Sequence, residues 1–235
     1  MKNIYIFLLG ILFGLLFFQN IKAQNWTEIT KLCASERNAG ANLGFSVDIH
    51  GDYAIVGAPY DFIIDDRNQI VDSAGAAYIY KYDGTNWQFQ QKLSIEDGNT
   101  YDGFGYAVAL HGDWAIIGSL GRKININRNQ GEAFIFKNNN DVWELHQNLI
   151  APDGDSLDLF GSSVAINDNF ILVGATGASG AQGKVYIYEK QTTTWNFKQI
   201  LNPTVTNIYR HFGNSVSIFN DYIAVGCRSN FDANE

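Results

Sequence analysis

The chain has 235 residues, of which 46% are hydrophobic and 14% aromatic, and a formal net charge of −8. A chain this acidic does not suit the phosphate backbone of nucleic acid or an anionic membrane surface. Its two cysteines cannot build a disulfide framework, and its length fits one domain or two small ones.

The first 23 residues read as a secretory signal peptide. Lys2 supplies the positive start, Ile4 to Phe18 is an apolar run, and Ala23 is the small residue before a cut. The run is short for a membrane span, so an uncleaved N-terminal anchor is the lesser reading. The mature chain then starts at Gln24 and contains no transmembrane segment. Removing Lys2 and Lys22 from 16 basic residues leaves 14 against 24 acids, a net charge of −10. This places the protein outside the cell or on its surface. There Cys33 and Cys227 are permitted to pair, but so far apart in sequence they read more simply as two small buried thiols.

From residue 24 onward the chain repeats itself. "LGFSVDIHGDYAIVGAPY" begins at Leu43, and similar stretches begin at Phe104, Phe160 and Phe212. Gly44, Gly105, Gly161 and Gly213 are each followed thirteen residues later by Gly57, Gly118, Gly174 and Gly226. Further glycines at 75, 131 and 183 open aromatic runs, twelve residues before Trp87, Trp143 and Trp195. Leu93, Leu149 and Leu201 follow those tryptophans by six, and twelve residues later the next repeat begins. Trp26 and Leu32 share that spacing ahead of Gly44, as a fourth strand without a blade of its own. Only the interval from Gly57 to Gly75 and its counterparts changes length, so a structural unit recurs with one loop free to vary.

Each unit predicts four short strands. The first, Phe45 to His50, alternates Phe45, Val47 and Ile49 with the smaller Ser46 and Asp48, which suits a strand crowded near an axis. The second, Tyr53 to Ala58, is apolar almost throughout and so buried on both faces. Between them Gly51-Asp52, Gly112-Asp113, Asp168-Asn169 and Asn220-Asp221 favour tight hairpins. The third carries Tyr78 and Tyr80, matched by Phe134 and Phe136, then Tyr186 and Tyr188. The fourth alternates Trp87, Phe89, Gln91 and Leu93 with Gln88, Gln90 and Lys92, as an edge strand with one wet face does. Antiparallel units graded from buried to exposed are what a β-propeller blade requires. The expectation is an all-β fold: a β-propeller of four-stranded antiparallel blades over residues 24–235, incomplete in this chain, with three full repeats and two strands of a fourth. Such a domain is truncated towards its C-terminus, with its remaining blades missing.

At Phe104-Gly105, Phe160-Gly161 and Gly57-Ala58-Pro59 the chain resembles the FG-GAP repeat family, the blades of integrin α-subunit propellers and of many secreted bacterial proteins. Many such blades hold Ca²⁺ in an Asp-rich loop between the first two strands. Calcium needs six to eight oxygen ligands, and here that connection is a two-residue turn. The resemblance is therefore to the subgroup without the calcium loop, with no metal at the hairpins and no cofactor. Asp153, Asp155 and Asp158 crowd one inter-blade segment, which reads either as a cation site or, more simply, as a solvated loop.

No enzyme signature is present. His50 and His111 flank the hairpin turns at equivalent positions, His146 lies on the polar side of a fourth strand, and no nucleophile or metalloprotease motif occurs. The serines of "FGSSV" and "FGNSV" recur with the repeat and read as structural. The expected role is a secreted or cell-surface binding module for a protein or glycan. The alternative is a propeller enzyme, polysaccharide-active or otherwise hydrolytic, with acids drawn from several blades. Loops on a rigid scaffold carry function, so the binding surface is expected on the face formed by second-to-third-strand and inter-blade connections. It comprises Asp61, Asp65, Asp66, Arg67, Asp97, Asp102, Arg122, Lys123, Arg128, Asp153, Asp155, Asp158, Arg210 and His211. The resemblance implies the same face, which meets ligand in integrin-type propellers.

Overall fold

The structure is a computed structural model describing residues 28, 30–34, 40–65, 67–204 and 211–228. The proposed signal peptide, Trp26, Asp66 and Arg210 lie outside the described residues. The chain divides into two units, residues 1–31 and 32–235. In the first, Glu28, Thr30 and Lys31 are exposed and without regular secondary structure.

The second unit is built from three four-stranded antiparallel sheets and a hairpin. Blade 1 comprises β1 (Ser46–His50), β2 (Tyr53–Ala58), β5 (Ala76–Tyr82) and β6 (Trp87–Leu93). A two-residue ribbon, β3 (Ile63–Ile64) with β4 (Ile70–Val71), folds inside its long variable loop. Blade 2 runs β7 (Phe104–His111), β8 (Trp114–Ser119), β9 (Glu132–Asn139) and β10 (Val142–Leu149). Blade 3 runs β11 (Phe160–Ile166), β12 (Phe170–Ala175), β13 (Lys184–Gln191) and β14 (Thr194–Leu201). A single helical turn at Ala178–Ala181 occupies its variable loop. The hairpin β15 (Ser215–Phe219) with β16 (Tyr222–Gly226) is the first half of a fourth blade. The first strands pack side by side in the order β1, β7, β11, β15, which makes the architecture an incomplete β-propeller, as expected.

The paired glycines explain the motif. A Cβ on Gly118 would lie 2.0 Å from the carbonyl oxygen of Gly161, and one on Gly57 2.0 Å from that of Gly105. The second glycine of one blade therefore accepts the backbone of the next blade's Phe-Gly, and no side chain fits between them. The serines add to this contact: Ser46 and Ser163 donate through Oγ to the carbonyls of Gly105 at 2.9 Å and Gly213 at 2.6 Å.

The core lies between blades. Ile55, Ile79 and Leu93 of blade 1 bury against Phe104, Ile117, Phe134 and Trp143 of blade 2. Ile116, Ile135 and Leu149 of blade 2 do the same against Phe160, Val173, Tyr186 and Trp195 of blade 3. Val47 and Ile49 are 67% and 61% exposed, while their counterparts Val108 and Leu110 are 7% and 4% exposed. The difference arises because blade 1 covers blade 2 and no described blade covers blade 1. Cys33 and Cys227 are both free and exposed, which corrects the expectation of buried thiols. Cys33 precedes the first strand of blade 1 and Cys227 follows β16, and among the described residues no further blade encloses either.

The fourth strands correct the sequence reading in one respect. Each contains a bulge, between Gln91 and Phe89, Leu145 and Gln147, and Gln199 and Phe197. The extra residue reverses the alternation, so Trp and Leu six apart do not share a face. Trp143 packs back against blade 1 and Leu149 forward against blade 3. At the chain start Leu32 takes the forward role, half-buried against Tyr78 and Tyr80 of blade 1. It is not in a strand, unlike the fourth strand expected there. An edge strand forms only against a partner, and none among the described residues offers one.

Candidate functional site

The second-to-third-strand loops and the inter-blade loops do meet on one face. Phe104 N–H donates to the Ala74 carbonyl at 3.0 Å, Phe160 N–H to Gln130 at 2.8 Å, and Phe212 N–H to Gln182 at 2.9 Å. Each variable loop is thereby tied to the connection that enters the next blade.

Beneath that surface the loops are held by buried charge. Arg122 in the β8–β9 loop is 8% exposed and meets three carboxylates. Its guanidinium lies 2.5 Å from Asp97, 2.7 Å from Asp102 and 3.1 Å from Glu132. Burial opposes the charge on Arg122, but its bonds to Asp102 and Asp97 outweigh that and raise its pKa further. Glu132 goes the other way for a carboxyl: burial pushes its pKa up despite the nearby guanidinium. Sequence reasoning missed Glu132, which stands in the regular part of β9. The signal lay in its position just after Gly131, where the other repeats have Ala76 and Lys184.

Blades 1 and 3 solve the same problem with a tyrosine. Asp61, 1% exposed, accepts from the Tyr78 hydroxyl and lies 3.0 Å from the Lys92 ammonium. Asp153 accepts from the Tyr186 hydroxyl at 2.7 Å and from Lys184 at 2.7 Å. Burial works against ionising Asp153, but Lys184 and Tyr186 prevail and its pKa is lowered. Asp158 is buried and accepts from the Asp155 N–H at 2.8 Å, and burial raises its pKa. The loop with three acids is therefore a braced turn, and among the described residues no group of three His, Cys, Asp or Glu is placed to hold a metal ion.

Of the residues expected on the surface, Asp61, Asp102, Arg122 and Asp158 are buried and bonded inside the loops. Asp65 is half-buried in a 2.9 Å ion pair with the exposed Arg67. Arg67, Asp97, Lys123, Arg128, Asp153 and Asp155 are exposed. His211 is half-buried, its Nδ1 3.2 Å from the Thr176 carbonyl. Away from this face, the His50 and His111 rings meet at a tilt with centroids 4.4 Å apart, and His111 Nε2 is 3.1 Å from Asp168. His146 occupies the fourth-strand bulge and donates through Nε2 to the Thr193 carbonyl of blade 3 at 2.6 Å.

Repeated four-stranded blades, welded by paired glycines and presenting braced loops on one face, define the chain as a propeller-type repeat protein. A family model described as FG-GAP repeat matches residues 26–80, 87–136 and 143–188, and the chain belongs to that family. The matched segments that open at Trp87 and Trp143 each begin on a fourth strand, β6 or β10, and run into the next blade. A comparison with curated proteins found no match.

Proposed function

We propose that the chain is an extracellular interaction module whose loop face binds a protein or glycan partner. Residues 1–23 act as its signal peptide and 24–235 form the propeller domain. FG-GAP repeats are typical of extracellular proteins, and among the described residues no helix is long and apolar enough to cross a membrane. The observation that carries the reading is the division of labour on one face. A buried layer of Arg122, Asp102, Glu132, Asp61 and Asp158 fixes the loops, and an exposed layer of Arg67, Asp97, Lys123, Arg128 and Asp155 stands above it. Rigid loops bind at less cost in ordering than mobile ones. The short hairpins at Gly51-Asp52 and Gly112-Asp113 offer no comparable relief.

The test is a glycan array and a panel of purified cell-surface proteins, probed with the parent and two charge-reversed variants. Arg67→Glu with Lys123→Glu alters the loop face, and Asp52→Lys with Asp113→Lys alters the hairpins. The proposal expects the first pair to lose every ligand the parent binds and the second pair to keep them. The reverse pattern refutes it.

A further inference from the structure

Three large apolar side chains on the loop face contribute little to the core. Tyr101, Ile126 and Leu157 are 72%, 88% and 62% exposed. Tyr101 and Leu157 hold equivalent places, four residues before Gly105 and Gly161, and each has φ +69°. That left-handed backbone is unfavourable for a bulky side chain and natural for glycine. Four residues before Gly44 the chain does place a glycine, Gly40, with φ +101°. The neighbouring loops impose the conformation. Tyr101 N–H donates to the Ser73 carbonyl at 3.0 Å, and a Cβ on Gly121 would overlap the Tyr101 carbonyl. Leu157 N–H donates to the Arg128 carbonyl at 2.9 Å, and a Cβ on Gly177 would overlap the Leu157 carbonyl. Both inter-blade junctions thus hold an exposed apolar residue where glycine suits the backbone better. Strain of this kind, retained without a packing benefit, marks functional positions.

Ile126 is presented just as firmly. It sits at the tip of a turn closed by Ile124 N–H to the Asn127 carbonyl at 3.1 Å and by the reverse bond at 2.9 Å. Asn127 Nδ2 anchors that turn to Gln130 Oε1 at 3.0 Å and to the Gly154 carbonyl at 3.2 Å. The same loop links the three positions, since Gly121 abuts Tyr101 and Arg128 bonds Leu157. All three lie between blades 1 and 3, with described chain on both sides. Lys123 and Arg128 flank Ile126 in the loop, exposed and without an ion pair among the described residues. The exposed acids nearby are engaged: Asp97 by Arg122, Asp153 by Lys184 and Asp155 by the Ser156 N–H.

We infer that Tyr101, Ile126 and Leu157 form the contact core of the loop face, and that its partner is a separate protein whose apolar side chains are ringed by carboxylates. The inference rests on the loop-face reading and narrows it from protein or glycan to protein. Aliphatic side chains neither stack on a sugar ring as an aromatic plane does nor bond its hydroxyls, but they bury well against apolar protein side chains. Covering groups on an immobilised backbone costs little ordering. The unpaired Lys123 and Arg128 favour acids at the rim of the partner.

The experiment uses the full chain and two displayed libraries of short peptides. One mixes Leu, Ile and Phe with Asp and Glu, and the other mixes the same apolar residues with Lys and Arg. The expected result is enrichment from the acidic library alone. Tyr101→Gly with Leu157→Gly weakens the enriched peptides by about tenfold or more, as does Ile126→Ser. Lys123→Ala with Arg128→Ala weakens them and flattens their salt dependence. The glycine pair melts within about 2 °C of the parent, which separates a contact role from a structural one. Tyr101→Asn with Leu157→Asn, which also accepts this backbone, repeats the comparison with a side chain retained. Enrichment from the basic library or from neither, binding insensitive to the three apolar residues, or self-association of the parent that Ile126→Ser abolishes overturns the inference. So does a parent that binds glycans and no protein in the array and panel. Ligands that follow Arg67 and Lys123 but not these three residues sink this inference and leave the loop face standing. Ligands lost with the hairpin changes instead sink the loop-face reading itself.

Discussion

Replacing Gln147 by alanine tests whether side-chain amides hold the blades together. The substitution removes the donor to the Trp195 carbonyl and the acceptor for its N–H, at 2.7 and 2.9 Å. Trp195 is 1% exposed, so its backbone edge is poorly placed to recover both bonds from water. A net hydrogen bond contributes about 1 kcal/mol and a stranded buried group costs more, which puts the pair at about 2 kcal/mol. With a urea dependence of about 2 kcal/mol per molar for a domain of this size, the unfolding midpoint falls by about 1 M. Gln199→Ala is the internal control. It removes the same side chain from the same strand position, where no partner is bonded, and the shift stays within about 0.5 kcal/mol. Urea unfolding followed by tryptophan fluorescence reads both. Equal shifts for the two variants, or no shift for Gln147→Ala, refutes the reasoning.

Gly118→Ala places a methyl 2.0 Å from the Gly161 carbonyl oxygen and costs about 3 kcal/mol, the upper part of the range for overpacking; calorimetry reads it as a lower melting temperature. Arg122→Ala leaves Asp102 and Glu132 buried without their cation and costs about 3 kcal/mol, measured in the same urea assay, with accelerated amide exchange in residues 94–103 and 120–131. Asp158→Asn raises stability at neutral pH, because burial raises the Asp158 pKa and so penalises its ionised form. A raised folded-state pKa stabilises the parent below the unfolded value and ceases to do so as pH rises through the folded one, so the variant's advantage fades on acidification to about pH 3. An advantage that grows towards low pH contradicts the assignment. Asp153→Asn behaves oppositely. Its pKa is lowered by Lys184 and Tyr186, so the variant loses stability at neutral pH and the difference closes as acid protonates the parent.

The blade fold was legible because its constraints are local and repeated. Gly118 and Gly161 are distant in sequence, but each must be glycine for its own backbone contact, and that requirement recurs at a fixed interval. The hairpin turns and the doubly buried β2, β8 and β12 were legible for the same reason. The fourth strands were not. The bulge beside Gln90, His146 and Lys198 leaves no composition signal, and it sends Trp and Leu to opposite neighbours although their spacing implies one face. Gln91 therefore read only as a member of the face that carries Trp87, Phe89 and Leu93, when its amide, like that of Gln147, bonds the next blade.

The loop face was legible as a place, from propeller topology, but not as a set of side chains. Asp102 and Asp65 look alike in sequence. Asp102 is buried under Arg122, while Asp65 lies half-buried against an exposed arginine. Pairing between loops of successive blades decides which acids face outward, and no single repeat contains that information. Cys33 and Cys227 misled for a related reason, since residue type predicts burial only where a neighbour exists to cover the residue.

The most direct measurement of the functional claim is hydrogen–deuterium exchange of the chain with and without a partner recovered from the array or the protein panel. The account predicts added protection in residues 59–75, 94–103, 120–131 and 150–159, the braced loops of one face, with the hairpins at 51–52, 112–113 and 168–169 unchanged. Protection confined to those hairpins contradicts it.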